Sequence, residues 1–323
     1  MTDAVPIPAD LFARVASFGV DVPAVLARAG VSPTQTAFST SEQMAFWGAL
    51  AELTPDRAIG LRLGRDKTPA QLNLAELAAI HAPTFDEGLQ RLARYKRIVC
   101  AEDVIVARRG DEVRIGFEWI HARGPVPHLL IECVFAAVIK LVENASHQRL
   151  VPRRLELSRR RDRSAGLLKA HFGCSVVFDA PHDRIVVAVA DLARRFRPQD
   201  AARYARLLPS LETSAAARAL SFVDEVRRAL RNHMVGEQIT LARVARDLGR
   251  TPRTLQRHLV RDGTSYQALL DDVRRSMSRR LLAATDLAES EVAFLLGFAE
   301  LNSFTRAFRG WEGTSPRRWR QRA

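Results

Sequence analysis

The most constraining feature of this 323-residue sequence is an internal repeat in its last third. Three short motifs occur twice in the same order. Val244-Ala245-x-x-Leu248-Gly249 recurs 48 residues later as Val292-Ala293-x-x-Leu296-Gly297, and Leu255-x-Arg257-x-Leu259 recurs 49 residues later as Phe304-x-Arg306-x-Phe308. Gly263-Thr264-Ser265 recurs 50 residues later as Gly313-Thr314-Ser315. Composition alone seldom produces three matched motifs in one order. We therefore interpret residues 240–320 as one structural unit present twice.

Each copy has the pattern of a helix-turn-helix unit. In the first copy, apolar residues recur at helical spacing up to Leu248, and Gly249 can end the helix with a positive φ. Thr251 can then cap a second helix that has Pro252 at its first position, where a missing N–H costs nothing. The sequence therefore predicts helix-turn-helix units at about 240–262 and 288–310.

Polar side chains on the second helix of each unit are candidates for contact with DNA. Arginine pairs bidentately with guanine and glutamine with adenine in the major groove. The predicted DNA-binding residues are Thr251, Arg253, Thr254, Gln256 and Arg257 in the first unit, and Leu301, Asn302, Ser303 and Arg306 in the second. The second unit should make fewer base contacts, since Ala299 and Glu300 supply no usual cap. The alternative for the arginines is a solvated basic face.

A long helix is predicted between the two units, over residues 265–284. At about 1.5 Å per residue it would be a rod of roughly 30 Å, close to the roughly 34 Å of one turn of DNA. Two reading helices could thus enter successive major grooves on one face of the duplex. Its polar positions include Arg274, Arg275, Arg279 and Arg280, which would contact phosphate, water or neighbouring acids.

The positive charge is concentrated in the same region. The chain has a formal net charge of +13, and the part from Arg218 onward has 20 arginines, no lysine and 12 acids, a net charge of +8. A basic domain attracts phosphate by releasing counterions, without reading the sequence. Charge therefore supports a nucleic-acid partner but does not prove one.

These residues carry a family resemblance. The run from Ile239 to Arg320, with Leu295-Leu296-Gly297-Phe298 and Gly313-x-Ser315-Pro316-x-x-Trp319-Arg320, resembles the DNA-binding domain of AraC/XylS-type bacterial transcription regulators. The resemblance implies seven helices with two helix-turn-helix units and a linking helix. It also implies an activator of transcription that binds double-stranded operator or promoter DNA and works with RNA polymerase.

The preceding part of the chain is predicted to be an α/β domain. Helical patterns extend to residue 99, a hairpin follows around Gly110, and an apolar helix occupies residues 128–144. We expect four or more strands, mixed or antiparallel, with helices on one face. The fold class is therefore mainly α with an α/β part: an effector-sensing and dimerisation domain at 1–213 and an all-α DNA-binding domain at 214–323, whose first helix covers 215–234.

The N-terminal region more loosely resembles the effector-binding and dimerisation domain of the ornithine-utilisation-type (arabinose-binding-domain-like) branch of this family. The residues that carry this resemblance are Leu61-Arg62-Leu63-Gly64, the helix from Phe85 to Tyr95, and Phe172-Gly173-Cys174 followed by Phe178 and Asp191-Leu192. It implies a domain that senses a small-molecule effector and can form a homodimer. The branch does not identify the effector.

Five residues of the sensing domain are candidates for the effector pocket: Tyr95, Trp119, His128, Glu132 and Phe135. The three aromatic residues could equally be ordinary core residues. His128 and Glu132 share a helical face at i, i+4 and could bind zinc, but further ligands are missing and a packed histidine explains the pair as well. Residues 60–68 faintly resemble a phosphate-binding loop, although a helix end followed by a loop is the simpler interpretation.

The sequence contains none of the motifs expected of common enzymes, such as Gly-x-Ser-x-Gly or Gly-x-Gly-x-x-Gly, so we expect no catalytic residue, metal or cofactor. No apolar run approaches the roughly 20 residues of a membrane span, and no secretory signal is evident. Cys100, Cys133 and Cys174 are typical of reduced thiols. We therefore expect a cytoplasmic bacterial protein without a membrane partner.

Two other classes of function remain open. The first is a DNA-repair protein that couples alkyl transfer to transcription, which would need a metal-activated cysteine cluster. The second is a structural DNA binder without a preferred site, which competition by unrelated duplex would reveal.

Overall fold

Two hydrophobic cores organise the chain. The computed structural model describes residues 5–8, 10–122, 124–197, 201–217, 220–234 and 239–322. The first core is built from buried residues between Val15 and Leu211, and the second from buried residues between Val226 and Phe308. The observed fold is mainly helical with one small mixed sheet in the first half, so the predicted fold class is confirmed.

Six helices form the start of the first half: α1 (Leu11–Ser17), α2 (Val22–Ala29), α3 (Thr40–Leu53), α4 (Ile59–Arg65), α5 (Leu74–Ile80) and α6 (Phe85–Val99). A short ladder joins β1 (Val5–Pro6) to β2 (Ala37–Phe38). Local chemistry explains several of the helix ends. Asp21 caps α2 by accepting from the Ala24 N–H at 3.1 Å, and Gly30 ends it with φ +69°.

The central helix of this half is α7 (His128–Ser146), and α4 lies against it. The helices approach closely because α4 has no side chain at Gly60 and Gly64. A Cβ at Gly64 would lie 2.1 Å from the Cys133 carbonyl oxygen, and one at Gly60 would lie 2.6 Å from that of Leu129. The faint resemblance to a phosphate-binding loop was therefore misleading: these glycines pack two helices together.

The sheet contains five strands: β3 (Glu102–Arg109), β4 (Glu112–Trp119), β5 (Arg154–Glu156), β6 (Ser175–Val177) and β7 (Arg184–Ala188). Their order is β3-β4-β7-β5-β6, and only the β5–β6 pair is parallel. Gly110 makes the β3–β4 turn with φ +60°. Helix α8 (Ala165–Phe172) precedes β6, and Phe117 of β4 packs against Phe135 of α7. The prediction of a mixed sheet is confirmed.

Helix α9 (Ala201–Ala217) runs through the predicted joint between residues 213 and 214. Leu211 is buried in the first core, and Glu212 forms an ion pair with Arg94 at 2.6 Å and accepts from the Tyr95 hydroxyl. These contacts tie the helix to α6. Residues 215–217 therefore continue α9 and do not begin the first helix of the second half, as the sequence had suggested.

The second half contains the seven helices that the resemblance implied, counted over its described residues: α10 (Phe222–His233), α11 (Leu241–Asp247), α12 (Pro252–Arg261), α13 (Tyr266–Ala284), α14 (Glu289–Leu295), α15 (Leu301–Glu312) and α16 (Pro316–Arg320). Their apolar faces meet in the second core, where Leu255, Leu259, Phe304 and Phe308 are completely buried. The periodic apolar positions of the repeat therefore form the core.

Polar contacts join the two halves. The Arg160 N–H donates to the Ala284 carbonyl at 2.6 Å, and its guanidinium donates to Thr285 and pairs with Asp286. On the same loop, the Asp286 N–H donates to the Asp179 carboxylate at 2.8 Å. The end of α13 and the loop that leads into the second helix-turn-helix unit thus rest on the sensing domain.

Candidate nucleic-acid interface and ligand cleft

The first helix-turn-helix unit consists of α11 and α12. The turn passes through Gly249, whose φ is +61°, and α12 begins where the Thr251 hydroxyl accepts from the Thr254 N–H at 3.2 Å. The hydroxyls of Thr251 and Thr254 lie 2.9 Å apart. Both predicted threonines therefore belong to the cap of the reading helix, beside the N–H groups that favour a phosphate.

The outer face of α12 carries unpaired polar side chains. Arg253, Gln256 and Arg257 are exposed, and their side chains make no hydrogen bond or ion pair within the described part of the chain. Arg261 on the same helix differs, because it lies 3.5 Å from the Asp262 carboxylate. Three long donor groups are thus free to contact a ligand along one helix.

The second unit, α14 and α15, repeats this arrangement with less polar support. Leu301, Asn302, Ser303 and Arg306 are exposed on α15, and none of the three polar side chains has a partner among the residues that the structure describes. The residue before the helix, Glu300, makes no side-chain cap. The prediction that this helix lacks a usual cap is confirmed.

The arginines of α13 are engaged within the protein. Arg274 donates to the Leu296 and Gly297 carbonyl oxygens at 3.0 and 3.1 Å, and thereby binds the C-terminal end of α14. Arg275 and Arg279 both bind the Glu312 carboxylate at the end of α15, at 2.6–2.8 Å. Of the contacts expected for these arginines, which were phosphate, water or neighbouring acids, Arg275 and Arg279 make the last. Together these bonds fix the second unit on the linking helix.

Two of the candidate pocket residues lie deep in the first core. Tyr95 and Phe135 are almost completely buried, and the Tyr95 hydroxyl donates to Glu212. The interpretation as core aromatics fits both. Trp119 is also buried, but it borders a small cleft that faces Arg231 and Met277 of the second half.

His128 and Glu132 line a second cleft between the halves of the molecule. Arg159 of the sensing domain and Arg280 and Ala284 of α13 complete its wall, together with apolar residues and Asp183. Neither Arg159 nor Arg280 was a candidate for the effector pocket in the sequence, because residues this far apart in the chain give no local pattern. The cleft therefore combines groups from both domains.

Glu132 is the most perturbed group in this cleft. It is 2% exposed; its Oε1 accepts from Arg159 at 2.7 Å, and its Oε2 is buried without a partner within the described ranges. Burial raises the pKa of Glu132 to about 7, against the opposing effect of Arg159. Burial, with Arg159, also lowers the pKa of His128.

Neither a metal site nor a reactive thiol accompanies the cleft in the described part of the chain. No group of three or more His, Cys, Asp or Glu residues lies together there, so the zinc alternative for His128 and Glu132 gains no further ligand. The three cysteines are free, and burial raises the pKa of Cys133 to about 11. Protonated thiols are poor nucleophiles.

No helix within the described ranges has the length and apolar character of a membrane span.

A tandem helix-turn-helix domain joined to a larger domain of helices and one small sheet defines a two-domain protein of the DNA-binding class. Residues 19–196 match the family model described as the arabinose-binding domain of AraC transcription regulators, and residues 244–322 match a helix-turn-helix domain model. The chain therefore belongs to the AraC family of transcription regulators.

Curated relatives match parts of the chain or most of it. The ornithine utilization regulator of Pseudomonas aeruginosa is 43% identical over 86 residues, which are 27% of this chain and 25% of that protein. The transcriptional activator NphR of a Rhodococcus species is 32% identical over 99 residues, 31% and 30% of the two chains. The regulator VirS of Mycobacterium tuberculosis is 26% identical over 273 residues, 81% and 78%. The chain thus spans about a quarter of the length of the ornithine utilization regulator.

Proposed function

We propose that this protein is a sequence-specific DNA-binding regulator that activates transcription in response to a small molecule. The observation that carries the proposal is the pair of exposed reading helices: α12 with Arg253, Gln256 and Arg257, and α15 with Asn302, Ser303 and Arg306. These side chains are free, whereas the arginines of α13 are bonded inside the protein. The free groups are the ones available to DNA.

The two readers differ in what they offer to a base pair. On α12, two arginines and a glutamine suit guanine and adenine edges, with Thr251 and Thr254 beside the phosphates. On α15, Leu301 can contact only a thymine methyl group, so Arg306 and its polar neighbours anchor more than they read. The 19-residue α13 is about 28 Å long, which suits two successive major grooves on one face.

The sensing half, which extends to the end of α9 at Ala217, would bias how well the two readers engage DNA. Its likeness to effector-binding domains supports a small-molecule ligand and a homodimer, in a cytoplasmic protein without enzymatic activity. The similarity to NphR, a transcriptional activator, supports activation, and with it RNA polymerase as a partner.

Replacement of Arg257 tests the reading role. Footprinting of the purified protein on its own upstream DNA first defines the site. We expect Arg257→Ala to weaken binding to that site by about 1–3 kcal/mol and to relax discrimination at one base pair, because a bidentate base contact is lost. Arg261→Ala is the matched control, since Arg261 lies on the same helix but next to Asp262.

Titration of every single-base variant of the site by fluorescence anisotropy separates the outcomes. An equal loss on all variants would make Arg257 a phosphate contact. Competition with unrelated duplex at matched salt tests for sequence preference. If unrelated duplex competes for the wild-type protein as well as its own site does, the protein is a structural DNA binder, because specific sites are typically bound ~10³-fold or more tightly than unrelated DNA.

A further inference from the structure

The cleft lined by His128, Glu132, Arg159 and Arg280 lies where the sensing domain meets the linking helix. Three of these residues belong to the sensing domain, and Arg280 belongs to α13 of the DNA-binding domain. Arg280 is held there by its bond to the Pro181 carbonyl at 3.2 Å. A molecule bound in this cleft would therefore touch both domains at once.

One wall of the cleft has an acceptor that the protein leaves unused. Arg159 donates to Glu132 Oε1, Ser164 and Asp162, and Glu132 Oε2 has no hydrogen-bond donor among the described residues. A buried carboxylate oxygen without a donor is costly. A ligand with a protonated amine would supply the missing donor.

The opposite wall has a donor that the protein leaves unused. The Arg280 Nε–H is buried and lacks an acceptor among the described residues, although one terminal nitrogen reaches Pro181. The other acid of the cleft, Asp183, makes no bond to it, and its two oxygens accept from the Ser158 N–H and hydroxyl. A carboxylate on the ligand fits this guanidinium.

We propose that this cleft is an effector site that takes a small amino-carboxylate, with its ammonium group at Glu132 Oε2 and its carboxylate at Arg280. Two acids and two arginines line the site, so it presents groups of both charges and favours a zwitterion over a ligand that carries only one charge. This inference rests on the proposed function in one respect: it names the chemistry of the molecule that the regulator would sense.

The cleft also indicates how a bound ligand would reach the DNA-binding helices. The cavity in this cleft has a volume of only about 30 Å³, a size that suits water molecules. An amino acid is several times larger, so its binding requires α13 to shift against the sensing domain. Because Arg275 and Arg279 of α13 hold α15 through Glu312, a shift of α13 moves the second reader.

Thermal unfolding and isothermal titration calorimetry of the full chain test the site directly. The probes are the standard L-amino acids, their decarboxylated amines, and the matching carboxylic acids that lack the amine. We expect at least one amino acid to raise Tm and to change operator affinity, while its amine and its acid bind at least tenfold more weakly. Failure of every amino acid in the panel, or equal binding of the amine or the acid, would overturn the proposal.

Variants then assign the binding to this cleft. Glu132→Gln and Arg280→Met should each lower the affinity for the amino acid at least tenfold, whereas Glu143→Gln, the same change elsewhere on α7, should leave it unchanged. Arg280→Met guards against a folding defect of the Glu132 variant, because Arg280 is only half-buried whereas Glu132 is almost completely buried. Full affinity in both cleft variants would place the ligand elsewhere.

The DNA measurement keeps this inference separate from the proposed function. If the ligand-free protein selects its own operator but binds no amino-carboxylate, only the cleft assignment fails. If the amino acid binds at Glu132 but the protein shows no preference for any duplex, the cleft stands and the regulatory function fails.

Discussion

At the scale of single residues, Glu132 shows how burial changes the chemistry of a group. Its carboxyl is 2% exposed, and burial raises its pKa from 4.5 to about 7 even though Arg159 favours the charged form. Arg159 and Asp162 are the charged groups that act on it, and His128, Asp183 and Arg280 line the same cleft. Ionisation of Glu132 is therefore less favourable in the folded protein than in the unfolded chain.

This pKa predicts a pH dependence of stability. Between about pH 4.5 and 7 the unfolded chain releases the Glu132 proton and the folded protein keeps it, so the free energy of unfolding falls as pH rises, by up to about 1.4 kcal/mol per pH unit. Above about pH 7 both states are ionised and the loss is complete. Urea denaturation of wild type and Glu132→Gln should show this slope only in the wild type.

A control variant defines what would contradict this expectation. Glu143→Gln removes a carboxylate from the same helix without touching the cleft, and it should retain the wild-type slope. If Glu132→Gln also retained that slope, another group would be responsible for it.

At the scale of elements, the close packing of α4 on α7 depends on two glycines. Gly64→Ala would place a Cβ 2.1 Å from the Cys133 carbonyl oxygen and 2.9 Å from the Ala136 side chain. Both atoms belong to a buried helix that has little room to move. We expect Gly64→Ala to lower the free energy of unfolding of the sensing domain by about 1–3 kcal/mol or more, through overpacking.

Gly48→Ala is the matched control for this prediction. Gly48 lies in the middle of α3, and a Cβ there would meet nothing within 4 Å. Alanine should therefore stabilise the helix by up to about 1 kcal/mol. Thermal and urea unfolding of both variants measure the expected loss of stability at Gly64 and the expected gain at Gly48. Equal stability of the Gly64 variant and the wild type would show that α4 can move aside.

Elements with local signals were predictable from the sequence, and elements fixed by distant contacts were not. Gly249, Thr251 and Pro252 mark the turn and the start of α12 within a few residues, so the helix-turn-helix units follow directly from the chain. The end of α9 does not, because the bonds of Glu212 to α6 extend the helix beyond the predicted joint. Nothing in the local sequence encodes a partner 117 residues away.

The candidate sites follow the same division. The reading face of α12 repeats with the helical period and could be predicted, whereas the partnership of Glu132 with Arg159 and Arg280 depends on how three distant segments pack. The four arginines of α13 looked alike in the sequence. Their separate roles depend on the carbonyl groups and acids that the fold brings to each one.

At the scale of the whole molecule, the contact between Arg160 and the loop after α13 sets how the two halves meet. The guanidinium pairs with Asp286, and the Asp286 N–H is bound by Asp179. We expect Arg160→Ala to increase amide hydrogen exchange in residues 284–288 several-fold without unfolding either core, because an exposed ion pair contributes only about 0–1 kcal/mol.

Arg28→Ala provides the comparison, since Arg28 forms an equally exposed ion pair with Glu52 inside the sensing domain. That variant should leave exchange in residues 284–288 at the wild-type rate. Unchanged exchange in the Arg160 variant would mean that the Arg160 main-chain bond to Ala284 and the Asp179 bond to the Asp286 N–H hold the loop without the Arg160 side chain.

The two hydrophobic cores remain separate clusters, and this has a consequence for how such a chain can change over evolutionary time. Each half can exchange its interior residues, or be recombined with a foreign half, without disturbing the packing of the other. What a hybrid must preserve is the small set of polar positions at the junction. Under the proposed function, the chemical signal to which the molecule responds could thus change while the DNA-binding half stays the same.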